Sequence, residues 1–267
     1  MKKRYVVFLL IAILTVSCAT SPTGRRQLMI VSEDSAIAAS KQAYTEMLKP
    51  YEEQGKIDNY PALKDRVYRI TGYLIAQAIK IRPETRDWSW SIKIINDPKT
   101  VNAWAMAGGK MALYTGLVEK LEATDDELAQ VLGHEIAHAL AKHSAEKMSV
   151  YMASSIGVAA VGIAAENKGL ALTGAVLAAT LAVQRPNSRT AESEADQIGV
   201  ELAAKAGYDP RAAITLWQKM AKVGGDGPPE FFSTHPSPEN REKKLTDLVP
   251  EMMPYYEQKG ERPFYEL

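Results

Sequence analysis

The sequence predicts an α+β fold that is mainly α-helical, with a small antiparallel sheet directly before one helix. Three observations support this prediction. Apolar residues recur at helical spacing through much of the chain, residues 88–94 alternate between apolar and polar side chains, and Gly108-Gly109 is typical of a tight hairpin. The chain has 267 residues, of which 46% are hydrophobic and 24% charged, so it is long enough to bury a substantial core.

Charge and cysteine content limit the partners and the metal sites that the sequence predicts. Lys and Arg together number 32, as do Asp and Glu, so no nucleic-acid partner is predicted. The chain has a single cysteine, which excludes an intramolecular disulfide and a zinc site built from thiolates.

Residues 1–18 are predicted to be a lipoprotein signal peptide. A basic start at Lys2, Lys3 and Arg4 is followed by an apolar run that is too short for a membrane span. The run ends in Leu-Thr-Val-Ser-Cys18, which resembles the site at which bacterial lipoproteins are cut and lipidated. The alternative is an ordinary signal peptide with an incidental cysteine.

Lipidation at Cys18 would anchor the mature chain to a membrane. Ala19 follows the cysteine where some lipoproteins have Asp, and by resemblance to other lipoproteins this favours the outer membrane. The predicted location is therefore the bacterial periplasm, with a lipid anchor. Residues 19–31, which include Ser, Pro, Thr and Gly, are predicted to be a tether, and residues 32–267 a single domain.

Two scaffold helices are predicted before the sheet. The first follows the cap residue Ser32 and continues to Pro50, and the second runs from Pro61 to Ile81 with one apolar face.

The predicted sheet has strands at residues 88–94, 101–107 and 110–114. A free edge of such a sheet can pair with an extended peptide through main-chain hydrogen bonds. The alternative is that the strands serve packing alone, and both interpretations stay open.

The next helix carries the chemical motif His134-Glu135-Ile-Ala-His138, and it begins with a capping box formed by Thr124 and Glu127. A helix advances about 100° per residue, so the two histidines lie one turn apart on one face and can bind a single zinc ion. Glu135 can reach a water molecule on that ion. The alternative is a surface helix with two solvated histidines.

His143 is predicted to pack or to support a ligand. It lies about 140° round the same helix from His138, so it cannot bind the same ion from there.

Residues 149–183 are almost wholly apolar apart from a break at Glu166-Asn-Lys168. Each arm is at or below the length that a membrane span requires. The segment is therefore predicted to be an apolar helical hairpin that covers the site, self-associates or dips into a membrane.

A third ligand is expected from the acidic start of the following helix. Two histidines and one carboxylate complete a catalytic zinc site that keeps an open position for water. On spacing alone Glu192, Glu194 or Asp196 can supply the oxygen, and the alternative is a solvated acidic helix start.

His235 is the remaining histidine. Held in a loop between Thr234 and Pro236, it can reach a zinc-bound water or a developing oxyanion, or it can be an ordinary core histidine.

Together these motifs resemble the zinc metallopeptidases that include HtpX, the CAAX prenyl protease and the Oma-type proteases, metallopeptidase family forty-eight. The matching segments are residues 101–109, 133–139, 188–196 and 233–241. With the Thr-Gly-Arg-Arg-Gln-Leu sequence at residues 23–28, the chain looks most similar to the periplasmic lipoprotein branch. The resemblance implies a gluzincin-type zincin fold, with residues 32–267 as the metallopeptidase domain.

The same resemblance implies one Zn²⁺ per chain and a role for each motif residue. His134, His138 and Glu192 would bind the metal, and Asp196 would orient a ligand histidine. Glu135 would be the general base.

The resemblance also implies two further residues at the site. His235 would approach the metal or the oxyanion, as a gate or a stabiliser. Asn102, in the edge strand, would contact substrate.

The predicted function is that of a zinc-dependent endopeptidase acting on cell-envelope proteins in quality control. Its partners would be protein or peptide substrates, a membrane reached through lipid on Cys18, and envelope assembly machinery. One alternative is an envelope assembly or chaperone factor with little or latent proteolysis, and another is a protease inhibited by His235 as an extra ligand.

Overall fold

The computed structural model describes residues 18–164, 173, 176, 185–223, 230–235 and 240–267. The predicted export signal lies outside the described residues, except Cys18. Most of the second arm of the predicted apolar hairpin lies outside them as well.

Helices dominate the described part of the chain. They are α1 (Glu33–Glu53), α2 (Pro61–Ile81), α3 (Thr115–Lys120), α4 (Asp125–Leu140), α5 (His143–Ala164), α6 (Arg185–Ala206), α7 (Ala212–Val223), α8 (Glu230–Thr234) and α9 (Arg241–Tyr256), with a 3-10 turn at Pro83–Asp87. The strands are β1 (Cys18–Thr20), β2 (Arg26–Leu28), β3 (Ser91–Ile95), β4 (Ala103–Met106) and β5 (Lys110–Tyr114). The predicted fold class, α+β and mainly α, is confirmed.

The three-stranded sheet has the order β3-β5-β4. The β4–β5 hairpin is antiparallel as predicted, and Gly108 and Gly109 adopt the positive φ angles of +78° and +73° that its turn requires. The pairing of β3 with β5 is parallel, which differs from the prediction. Strand β5 therefore lies at the centre of the sheet, between β3 and β4. Within the described residues β4 is an edge strand.

Helix α4 is central to the core. Its capping box is formed by Thr124 and Glu127 as predicted, and the residues from Glu127 to Ala137 are all buried. It packs on α2 and crosses α6 closely, because a Cβ atom on Gly133 would lie only 2.7 Å from the Gly199 carbonyl oxygen. This crossing brings the start of α6 against the histidine motif.

The segment predicted as a tether, residues 19–31, differs from the structure. Strands β1 and β2 form an antiparallel hairpin that packs against the junction of α4 and α5. The Arg25 guanidinium forms ion pairs with Glu146 and Glu194, and Gln27 donates to the Ala141 carbonyl at 2.6 Å. These polar contacts hold the hairpin on the domain.

The last helix is longer than the sequence suggests. Its charged pattern predicts an end near Leu248 and an extended tail, but α9 continues to Tyr256 with Pro250 and Pro254 inside it. The Arg262 side chain donates to the carbonyls of Tyr255 and Tyr256, which helps to explain how the longer helix is terminated.

Among the described residues, no helix combines the length and apolar character needed to cross a membrane.

Candidate metal centre

Four side chains converge at one point, three from helices and one from the residue that follows a helix. Helix α4 contributes His134 and His138, the start of α6 contributes Glu192, and the residue after α8 is His235. One ligand atom from each of the four lies within 4.8 Å of the others. The His134 Nε2 atom is 3.0 Å from His138 Nε2, 3.2 Å from Glu192 Oε2 and 3.4 Å from His235 Nδ1.

These spacings fit a tetrahedral zinc ion. Nitrogen and oxygen ligands that lie about 2.0–2.1 Å from zinc in a tetrahedron are about 3.3–3.4 Å from one another. Two contacts to the other Glu192 oxygen are of similar length, at 3.5 Å from His138 Nε2 to Oε1 and 3.3 Å from His235 Nδ1 to Oε1. The Glu192 side chain is only 4% exposed, and its carboxylate oxygens lie near ring nitrogens of all three histidines, as expected of groups that share one cation.

An acidic side chain contacts His134 on the ring nitrogen that does not face the other ligand atoms. Its Nδ1 atom lies 3.0 Å from Asp196 Oδ1, and Arg241 in turn donates to the same oxygen. Burial by itself would lower the pKa of His134, but the contacts with Asp196 and Glu192 raise it to about 9. The Arg241 guanidinium is buried and stacks 3.3 Å from the Trp217 ring centroid.

His138 is supported by a second histidine. Helix α4 ends at Leu140, Lys142 takes a positive φ of 57°, and α5 starts at His143, so the chain turns back toward the site. The His143 Nδ1 atom lies 2.8 Å from His138 Nδ1, and its Nε2 atom lies 3.1 Å from Glu194 Oε2. His143 is thus outside the ligand group, and it supports a ligand as one of the two predicted roles requires.

Glu194 is ionised in this arrangement. Burial raises the pKa of its carboxyl, but hydrogen bonds from His143 and from the β1–β2 hairpin outweigh burial and lower the pKa to about 2.

Glu135 lies beside the ligand group without joining it. Its side chain is 2% exposed, and its Oε1 atom is 3.4 Å from His235 Nε2 with no hydrogen-bond donor among the described residues. Burial raises the pKa of this carboxyl above its ordinary value. A carboxylate with a raised pKa and a free oxygen is suited to accept a proton and then release it.

A cavity of about 180 Å³ opens onto the centre. Its lining combines site residues with the edge strand and the start of α5: Trp104, Ala105, Glu135, His138, His143, Ser144, Lys147, Ser188, Ala191, Glu192, Thr234 and His235. Strand β4 is therefore positioned at the wall of the cavity.

The structure brings together most of the residues singled out from the sequence, with two exceptions. Asn102 precedes β4, is 2% exposed and is absent from the cavity lining, where Trp104 and Ala105 lie instead. Cys18 begins β1 and is not part of the centre. Sequence reasoning also missed Arg241, although it is the last residue of the motif at 233–241.

Comparison with known proteins is consistent with this geometry. Residues 61–249 match the family model described as Peptidase family M48. The chain belongs to peptidase family M48. The M48 match extends from the start of α2 into α9, and it includes all four residues of the metal centre.

Individual M48 relatives are much longer than the matched region. The chain is 32% identical to "Metalloendopeptidase OMA1, mitochondrial" of Bos taurus over 86% of its own length and 46% of the relative. It is 33% identical to "Mitochondrial metalloendopeptidase OMA1" of Schizosaccharomyces pombe over 86% of the chain and 65% of the relative. It is 29% identical to "Beta-barrel assembly-enhancing protease" of Escherichia coli over 63% of the chain and 36% of the relative.

Proposed function

We propose that the protein is a zinc-dependent endopeptidase that hydrolyses peptide bonds of cell-envelope proteins in quality control. The observation that carries the proposal is the convergence of His134, His138 and Glu192 at tetrahedral spacing, with Glu135 beside them. Membership of a peptidase family and the metalloendopeptidase names of its relatives support it.

The chemistry is divided between the metal and the protein. When bound by His134, His138 and Glu192, zinc would polarise a carbonyl group and make water more acidic. Glu135 would accept a proton from the attacking water and deliver it to the leaving amine. Its burial keeps the carboxylate away from bulk solvent, which favours both transfers.

The edge strand β4 would orient the substrate. Because β4 is paired on one side only among the described strands, an extended peptide can add to it and pass along the cavity wall formed by Trp104 and Ala105. Asn102, proposed from the sequence as a substrate residue, precedes this strand, and its carbonyl accepts from the Tyr114 amide of β5 at 3.1 Å.

The proposed location is the bacterial periplasm, with lipid on Cys18 and the outer membrane favoured. The sequence pattern of residues 1–18 supports it. Incorporation of labelled palmitate into the wild-type protein, and loss of the label in Cys18→Ser, is the expected result. Equal labelling of both proteins would contradict the proposal.

The activity is tested with purified protein and an unfolded protein substrate. Cleavage should require zinc, stop on chelation and return when zinc is restored. Glu135→Gln should lower kcat by at least about a hundredfold because the proton acceptor is lost. Glu119→Gln, an exposed change on α3, is the matched control and should cleave normally. Cleavage by Glu135→Gln at the wild-type rate would overturn the proposal.

A second candidate is an envelope assembly or chaperone factor with little or latent proteolysis. The position of His235 favours it, because a fourth protein ligand would fill the position that a catalytic zinc keeps open for water. The name of the Escherichia coli relative refers to assembly as well as to proteolysis. Complementation decides between the two, since full rescue of a deletion by Glu135→Gln would show that cleavage is dispensable.

A further inference from the structure

A series of hydrogen bonds and ion pairs connects the β1–β2 hairpin to the metal centre. On one side Arg25 donates from Nε to Glu194 Oε2 at 2.6 Å, and from its terminal nitrogens to both oxygens of Glu146 at 2.6 and 2.7 Å. Ser21 and Thr23 donate to the other Glu194 oxygen. Glu146 and Glu194 are each only 3% exposed, so the hairpin compensates two buried carboxylates.

The direction of each hydrogen bond in this series follows from which ring nitrogen of each histidine carries the proton. The Nε2 atom of His138 faces the ligand group, which leaves Nδ1 to carry the proton. His143 Nδ1, 2.8 Å away, must then accept, so His143 carries its own proton on Nε2. That proton is donated to Glu194, 3.1 Å away, and an ionised carboxylate is the acceptor that holds this tautomer.

Glu194 can hold His143 only while its own position is fixed. It lies on α6 and His143 on α5, and Arg25 bridges both helices by pairing with Glu194 and Glu146 at once. A planar guanidinium can bind two carboxylates in this way, whereas a lysine ammonium cannot reproduce the geometry. Without Arg25, the buried carboxylates of Glu146 and Glu194 would lose the cation that they share.

We propose that the hairpin of residues 18–28 is a positioning element of the metal site, in which Arg25 and Glu194 fix the tautomer and orientation of His143 and thereby of His138. The region matched by the family model begins at residue 61, after the hairpin. The inference rests on the proposed function only for the identity of the metal.

The test compares Arg25→Gln with Arg26→Gln in the full-length protein. Arg26 follows Arg25 directly, is the first residue of β2 and is exposed. The control therefore makes the same substitution one position away. Two quantities are measured. One is the dissociation constant for Zn²⁺ by competition with a chromophoric chelator, and the other is the tautomer of His143 from nitrogen chemical shifts of ¹⁵N-histidine-labelled protein, which has four histidines.

Arg25→Gln should bind Zn²⁺ about tenfold more weakly, the lower end of the range for groups that orient a metal ligand. The Nε2–H tautomer of His143 should lose population in this variant, and Arg26→Gln should match the wild type in both measurements. Arg25→Lys should lie between Arg25→Gln and the wild type, because an ammonium keeps the charge but lacks the planar fork that contacts both Glu146 oxygens and Glu194 at once.

Unchanged zinc affinity and an unchanged His143 tautomer in Arg25→Gln would overturn the proposal, as would an equal loss in Arg26→Gln. Thermal melting of the zinc-free variants shows whether each is folded, and if Arg25→Gln is not, Arg25→Lys is judged by the same two measurements. Neither measurement requires peptide cleavage. An inactive wild-type protein would therefore count against the proposed function and would leave this inference to be decided separately.

Discussion

Each ligand histidine uses one ring nitrogen toward the metal position and has the other held by a neighbour. For His134 the neighbour is Asp196, and for His138 it is His143. Such contacts fix the tautomer and the ring orientation and increase the basicity of the ligand. The affinity of the site for a metal ion should therefore depend on side chains that do not contact the ion.

Asp196→Asn tests the support of His134. The amide keeps the shape but removes the charge and weakens the contacts with His134 and Arg241, so zinc should bind about 10- to 100-fold more weakly. Chelator competition measures the change. Asp247→Asn, at an exposed ion pair with Lys243, is the control, and equal affinity in the two variants would contradict the prediction.

His235→Ala distinguishes gating from oxyanion stabilisation. Because His235 Nδ1 lies at ligand distance from the other ligand atoms, we expect the variant to bind zinc more weakly and, when loaded with zinc, to turn over substrate faster. The measurement is kcat per bound zinc. A fall in kcat would instead assign His235 to stabilisation of the transition state.

At the scale of helices, the metal centre depends on how closely α4 and α6 cross. The two backbones meet at Gly133 and Gly199, and a Cβ on Gly199 would lie 2.7 Å from the His134 amide nitrogen. Two of the ligands are on α4 and a third is on α6, so any separation of these helices changes the distance between ligands.

Gly199→Ala should therefore impair both folding and metal binding. Overpacking at this crossing should cost about 1–3 kcal/mol in the free energy of unfolding and weaken zinc binding by moving Glu192 away from His134. Urea denaturation and chelator competition measure the two effects. Gly157→Ala on α5 is the control, because a Cβ there meets nothing within 4 Å and should stabilise the helix by about 0.5–1 kcal/mol. Equal effects of both changes would contradict the prediction.

Periodicity and capping predicted the elements whose signals are local. Helix α2 runs from Pro61 to Ile81 as expected, and α4 begins at the predicted capping box. The end of α4 was not predictable in this way, because the residue with positive φ is Lys142 rather than a glycine. The sequence therefore placed His143 on the wrong helix, although its supporting role follows from either position.

At the scale of the whole molecule, the contacts that pattern analysis misses join distant parts of the chain. Arg25 pairs with side chains 121 and 169 residues away, and nothing near residues 19–31 in the sequence indicates a packed hairpin. The metal centre was more accessible to prediction, because the ligand types and the one-turn spacing of His134 and His138 are themselves chemical signals. The choice of Glu192 over Glu194 needed the family resemblance, and the structure explains it by the contact of Glu194 with His143.

Metal should also stabilise the fold as a whole, because the ligands come from separate parts of the chain and converge only in the folded state. Free zinc at a thousandfold excess over its dissociation constant should add about 4 kcal/mol to the free energy of unfolding. Calorimetry should show a higher Tm with zinc and a lower one with chelator. His138→Ala should lose most of this difference, and a full zinc-dependent shift in that variant would place the metal elsewhere.

A lipid on Cys18 would be attached to a folded strand, because Cys18 pairs with Leu28 in the β1–β2 hairpin. The cleft would then stay at a nearly constant height above the bilayer and would meet its substrates by diffusion in the plane of the membrane. Polypeptide segments emerging at that height would be cut, and segments farther from the surface would escape. The distance of a peptide bond from the bilayer would then select the cleavage site as much as the side chains around that bond.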